Sequence, residues 1–230
     1  MADALANNRA ARDAILGRVC AALGKSGDRS AAEADAEAYL ARHDQGPRPR
    51  VEGDLVEHFL LRARDMASTV ERVDAVAEVP AAVHRYLAAL RLPAALATHQ
   101  STAGVCWAEF GGLDWTAVGL TMESRPTLGD DRIGVTGCFC AVAETGTLVM
   151  TTGADTPTAT TLLPDTHVAV VRARRIVAGM EDAFALVRKE RPTMPRAINF
   201  ISGPSRTGDI EQTIVLGAHG PFRLHIIVVG

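Results

Sequence analysis

Two stretches of this 230-residue chain, "HVAVVR" (167–172) and "RLHIIVV" (223–229), are apolar at nearly every position. A strand with one wet face alternates; a strand that is apolar throughout must be covered on both faces, the condition met inside parallel sheets flanked by helices. The intervening chain supplies candidate helices. Leu55–Ala67 follows Asp54 as a possible N-cap, Pro80–Leu92 carries its proline in the first turn, and Glu181–Lys189 closes on basic residues before Pro192. Further strands are expected at "STVERV", "AALATH", "DWTAVGLT", "RIV" and "AINFIS". "RIGVTGCFCAVAETGTLVMTT" reads as strand segments broken at Gly137 and at Thr145-Gly146. The alternation predicts an α/β domain with a mostly parallel central sheet. The segment 109–166 is poorer in helix, which leaves room for an antiparallel portion.

Ahead of this body, residues 9–23 place Ala14, Ile15, Val19, Ala22 and Leu23 on one helical stripe, and Ala31–Ala41 forms a weaker Ala/Glu-rich helix. "HDQGPRPR" then reads as a linker. The expected organisation is a helical extension and linker over 1–50 and an α/β domain over 51–230. The net charge of -3 without a basic tract argues against a nucleic-acid partner. The longest uncharged stretch, Leu92–Ala108, contains Pro93, His99 and Gln100, too polar for a membrane span, and Asp3 and Asp13 interrupt any secretory leader. Cys20, Cys106, Cys138 and Cys140 include no C-x-x-C pair. No iron–sulfur cluster or metal is therefore expected on this chain, and a reducing, cytoplasmic compartment fits.

Three segments could carry chemistry. Glu144 ends an apolar strand before a Thr-Gly-Thr turn, where it could act as a general base or order the turn by accepting backbone N–H bonds. "TPTATTLLPDTH" crowds hydroxyls near His167, as an anion cradle or as a capped connection. In "ISGPSRTGDIEQTIVLGAHGP", Gly203-Pro204 ends a strand, and Asp209 with Gln212 has capping-box spacing for a helix that Gly217 would stop. Asp209 and Glu211 suit a helix N-terminus, and Arg206 beside it, with Ser205 and Thr207, could complete an anion site. Signatures of P-loop, dinucleotide-binding and nucleophile-elbow proteins are absent. Nothing in the sequence marks Cys138 as a stabilised thiolate.

The stretches "VTGCFCAVAETGTLVMTTGADTPTATTLLPDTHVAVV" and "ISGPSRTGDIEQTIVLGAHGPFRLHIIVV" resemble the LUD domain family, and more narrowly its bacterial lactate utilization C group. The resemblance covers roughly residues 50–230. It implies a fold related to the sugar-phosphate isomerase and CoA-transferase (NagB/RpiA-like) group. It also implies a role in oxidising L-lactate to pyruvate beside two iron–sulfur partner proteins. Shared positions fall on Glu144 as the catalytic candidate, on Thr145, Gly146, Thr147, His167, Ser205, Arg206 and Thr207 around a small carboxylate or other anion, and on Gly137, Gly203, Asp209, Glu211 and His219 in support. Some members carry an acidic residue soon after the Thr136-Gly137 pair, where this chain has Cys138-Phe139. An isomerase-like step through a carboxylate at that place is not expected. The alternatives are a free-standing isomerase or CoA-transferase-like enzyme on a phosphorylated or thioester substrate, and a non-catalytic assembly or regulatory subunit.

Overall fold

The computed structural model describes residues 2–24, 30–49, 51–90, 103–210 and 213–230. The chain divides into two compact units, Met1–Pro47 and Arg48–Gly230. The first contains α1 (Ala2–Ala22) and α2 (Ser30–Arg42).

The second unit is built on a six-stranded sheet of β1 (Thr69–Val73), β2 (Ala103–Cys106), β3 (Thr121–Glu123), β4 (Ile133–Gly137), β7 (Thr166–Arg172) and β12 (Arg223–Val229). Its order is β1-β12-β7-β4-β2-β3, and every neighbouring pair is parallel. The central strands are the ones read from continuous apolarity. All five residues of β4 and six of the seven in each of β7 and β12 are buried. The core joins Val168, Val170, Ile226 and Val228 to Phe59, Leu60 and Ala63 of α3 (Leu55–Asp65) and to Val79 and Val83 of α4 (Val79–Ala89). Asp54 caps α3 by accepting from the Val56 amide at 2.7 Å.

A second sheet, ordered β8-β5-β6-β9, grows from the ends of β4 and β7. β5 (Cys140–Val142) follows β4 after two residues, and β8 (Ile176–Val177) follows β7 after a short turn. β6 (Thr147–Thr151) pairs antiparallel with β5, the portion expected between 109 and 166, and β9 (Ile198–Ile201), outside that segment, pairs antiparallel with β6. A single helical turn, α5 (Ala159–Leu162), lies against β4, and α6 (Met180–Glu190) covers β5 through Ala183 and Val187.

Two expectations fail. The segment after Arg206 is not a helix but a hairpin, β10 (Arg206–Ile210) and β11 (Thr213–Leu216), with a register shift between Thr207 and Ile210. The β-branched run Thr213-Ile214-Val215 outweighs a capping-box spacing. "DWTAVGLT" is not a strand over its length. Asp114 accepts from the Thr116 hydroxyl and the Ala117 amide, both at 3.0 Å, which turns the chain, and Gly119 sits at φ 74° before β3 begins. The strand expected at "AALATH" and Glu211 lie outside the described residues.

Ile226 is fully buried in the central β12. Ile226→Ala is expected to lower unfolding stability by about 2–5 kcal/mol, read as a reduced urea midpoint with an unchanged slope.

Candidate functional site

In an open parallel sheet, ligands bind beyond the carboxyl ends of strands where the chain path reverses direction. Here β2 leads outward to β3, whereas β4 leads the other way to β7 and β12, so the reversal lies between β2 and β4. Beyond those two strand ends is a cavity of about 360 Å³. Trp107 and Glu109 enter it after β2, and Cys138 and Phe139 after β4. Arg172 comes from the end of β7, Arg174 and Arg175 from the turn that follows, Thr151 from β6, and Glu190 and Arg191 from the end of α6.

Four arginines against two glutamates leave this pocket positive. Arg175 is tied down: it pairs with both Glu190 oxygens at 2.7 and 3.0 Å, donates Nε to the Phe139 carbonyl at 2.8 Å, and lies 4.7 Å over the Phe139 ring. Arg191 lies 5.2 Å over the same ring and donates to Thr151 Oγ1 at 3.3 Å. Hydrogen bonding from Arg175 holds the Glu190 carboxyl below its ordinary pKa. Among the described residues Arg174 makes no ion pair. Arg172 Nη2 stands 3.7 Å from Glu109 Oε2. Partial burial raises the Glu109 carboxyl pKa, and Arg172 offsets this only in part.

Gly137 explains how Glu109 reaches this place. A Cβ at 137 would fall on Glu109 Oε1, so a side chain there would displace the carboxylate. A carboxylate thus stands at the end of β4, contributed by the turn after the neighbouring strand. Burial raises the Cys138 thiol pKa, the opposite of what a nucleophilic thiolate needs.

The residues singled out from the sequence disperse. Glu144 lines a different cavity, of about 320 Å³, with Arg48, Pro49, Val51 and Glu52. There Arg48 pairs with Asp182 at 3.0 Å and Glu181 at 3.5 Å at the start of α6. Thr145, Thr147 and Ser202 form a hydroxyl chain at 2.7 and 2.5 Å. Gly146, at φ 65°, lets that turn rest on α3, since a Cβ there would lie 2.5 Å from the Ala63 amide nitrogen. Gly203, at φ 79°, packs on the Met66 carbonyl, to which Arg206 donates at 3.0 Å. Ser205 is stitched to the loop before β12: its amide donates to the Pro221 carbonyl at 2.9 Å, and its hydroxyl accepts from the His219 amide at 3.4 Å. Thr207 pairs with Val215 within the hairpin, and Asp209 lies in β10.

No helix begins beside Arg206, so the dipole argument for an anion there lapses. The cavity that holds Arg206 with Thr69, Tyr86 and Arg223 is not the one that holds Glu144. Of the threonine-rich segment, Thr160 and Thr161 are buried in α5, while Thr156 lines the carboxyl-edge pocket. His167 is 1 % exposed, its Nε2 2.7 Å from the Thr136 hydroxyl, and burial lowers its pKa to about 3. Of the residues singled out, Thr156 lines the carboxyl-edge pocket and Gly137 borders it through Glu109. What sequence reading passed over was "VRARRIV", three arginines closing a buried strand; Glu109 had no local signal.

Fold and pocket together define an α/β protein of the parallel-sheet class with an arginine-lined crevice at its switch point. The LUD domain model matches residues 112–229. Lactate utilization protein C of Deinococcus radiodurans is 33 % identical over 198 residues, covering 80 % of this chain and 84 % of that protein. The Bacillus subtilis (strain 168) protein of the same name is 37 % identical over 101 residues, 43 % of this chain and 42 % of its own length. A crystal structure of a DUF162 family protein from Deinococcus radiodurans superposes with a TM-score of 0.50 at 26 % identity, over 79 % of this chain and 100 % of that one. The chain belongs to the LUD domain family. Glu109 lies just ahead of the matched span.

His225, stacked on Tyr86 at 4.1 Å between ring centroids, is also held neutral by burial, its pKa lowered to about 4. The unfolded chain takes up protons on both histidines near pH 6.5, whereas the folded chain does so only near pH 4 and 3. The stability they contribute is therefore full above about pH 6.5 and declines as pH falls, by up to about 1.4 kcal/mol per unit for each histidine. Urea titrations between pH 7 and 5 should show this decline. His225→Phe, which keeps a ring on Tyr86, should make it shallower.

Proposed function

We propose that this chain acts in lactate utilisation as the member without an iron–sulfur cluster, holding a small carboxylate in the carboxyl-edge pocket while iron–sulfur partner proteins accept electrons. Conversion of L-lactate to pyruvate releases two electrons and two protons; the chain's part in this reading is to bind and orient the acid. The carrying observation is the convergence of Arg172, Arg174, Arg175 and Arg191 on one crevice at the sheet's switch point. The relatives named lactate utilization protein C supply the pathway. The expected binding corner between Glu144 and Arg206 gives way to this pocket in the proposal, because the carboxyl edge gathers more arginines than acids in a cavity large enough for a small acid. Among the described residues no group of three or more His, Cys, Asp or Glu is placed to hold a metal ion, and no helix is long and apolar enough to cross a membrane. The reading places the protein in the cytoplasm.

One observation favours a second reading, a free-standing isomerase-type enzyme on a phosphorylated substrate. A carboxylate does stand at the end of β4, contributed by Glu109. Turnover of sugar phosphates or acyl-CoA compounds without partner proteins would establish it.

Arg174 has the least to do in holding the fold, so Arg174→Ala should change stability by no more than about 0.5 kcal/mol. Loss of one charge-assisted contact to the ligand should weaken lactate or pyruvate binding roughly 10- to 100-fold by calorimetry. With the two partners added, lactate-dependent dye reduction should require this chain and fall in the same variant. Unchanged binding would remove the pocket from the account.

A further inference from the structure

Of the two acids in the carboxyl-edge pocket, Glu190 is held by Arg175 through two short hydrogen bonds. Glu109 is not held in this way. Its nearest cation, Arg172, is 3.7 Å away, beyond hydrogen-bond length, and 43 % of its side chain remains accessible. Among the described residues its carboxylate receives no hydrogen bond within 3.5 Å, Arg172 making only a longer charged contact, and Gly137 leaves it space to lie across the end of β4. It is thus a carboxylate placed in a cation-lined cavity with its hydrogen-bonding capacity open to a ligand.

Resting on the carboxylate-binding reading above, we infer that Glu109 reads the oxygen next to the ligand's carboxylate, accepting from a hydroxyl when ionised and donating to a ketone when protonated. The arginines can only donate, so they take the ligand's carboxylate. An α-hydroxyl offers a proton to an ionised carboxylate, and it can equally accept from a protonated one. A keto oxygen only accepts. Against ionised Glu109 it leaves two acceptors facing each other, an arrangement relieved when Glu109 carries a proton. Binding of a 2-keto acid is therefore coupled to proton uptake, and binding of a 2-hydroxy acid is not.

The surroundings isolate this titration. Arg172 on β7, Arg174 and Arg175 in the following turn, and Arg191 after α6 stay charged. Glu190 is kept ionised by Arg175, and Cys138 after β4 is kept as the thiol by burial. Glu109 is the pocket group left to change charge with pH, and partial burial raises its pKa. Keto-acid affinity is full below the Glu109 pKa and declines above it, by up to tenfold per pH unit.

The test is calorimetry of L-lactate and of pyruvate across pH 5.5–8, in pairs of buffers that differ in ionisation enthalpy so that bound protons are counted. Wild-type protein should take up close to one proton per pyruvate at the upper end of the range and almost none per lactate. Its pyruvate Kd should weaken with rising pH while that for lactate moves less than twofold. Glu109→Gln, whose amide both donates and accepts, should bind both acids with flat profiles. Gly137→Ala, whose methyl displaces the carboxylate, should also lose the pyruvate-linked proton. Equal proton uptake for the two acids, or pyruvate-linked uptake that survives in Glu109→Gln, overturns the role of Glu109 and leaves the carboxylate site standing. Failure of wild type to bind either acid at millimolar concentration overturns the carboxylate reading, and this inference with it.

Discussion

A sheet whose strands all run one way cannot be closed by tight hairpins. Each strand must be re-entered from the same end, so everything that links the strands crosses over a face or gathers beyond an edge. That constraint sets the rest of this molecule. The helices α3 and α4 bury the apolar face of β1, β7 and β12. At the carboxyl edge, β4 and β7 do not turn back at once but run on into β5 and β8, which pair with each other and start the second sheet. The two short crossings between the sheets, 138–139 and 173–175, are where the pocket forms. They are too short to fill the space beyond the switch point, and their side chains line it instead.

The same logic explains why the strands were legible and the site was not. Burial on both faces writes itself into consecutive residues, so β7 and β12 could be read from "HVAVVR" and "RLHIIVV". The Asp54 cap was legible for a similar reason, since donor and acceptor are two residues apart. The pocket is different in kind. Glu109, Gly137 and Arg172 meet only because β2, β4 and β7 are neighbours, and no window of sequence contains all three. The hairpin over 206–216 was misread where two local signals competed: a four-residue capping pattern and a β-branched run that satisfies its backbone by pairing.

The Thr-Gly-Thr turn shows how packing alone can make specific demands on a motif. Its glycine takes a left-handed conformation and sits where any side chain would strike the backbone of α3. Its two threonine hydroxyls are linked to each other and to Ser202, which leads into the glycine resting on Met66. Residue types at 145–147 and 202–203 are thus fixed by close approach between the second sheet and α3. His167 belongs to the same class, a buried imidazole spanning to Thr136 across adjacent strands. Such positions are demanding for structural reasons, which is why they stand out in sequence while the arginines of the pocket do not.

The arginines divide by how firmly they are held. Arg175 is fixed by Glu190, by the Phe139 carbonyl and by the Phe139 ring, and Arg191 shares that ring. The Arg175 charge is offset by Glu190, so in a chain of net charge -3 the surplus positive charge on this side comes from Arg191, while Arg175 has little side-chain freedom left to lose when an anion arrives. Arg172 and Arg174 are freer, the first at ion-pair distance from Glu109 and the second without an ion pair among the described residues. Closing on a ligand costs them rotamer entropy, but they can adjust to its shape. On the proposed carboxylate-binding reading, the firmly held side of the pocket receives the acid and the mobile side, where Glu109 stands, discriminates among acids. Selectivity is therefore expected to reside in the Glu109–Arg172 side of the crevice, whose groups are free to move.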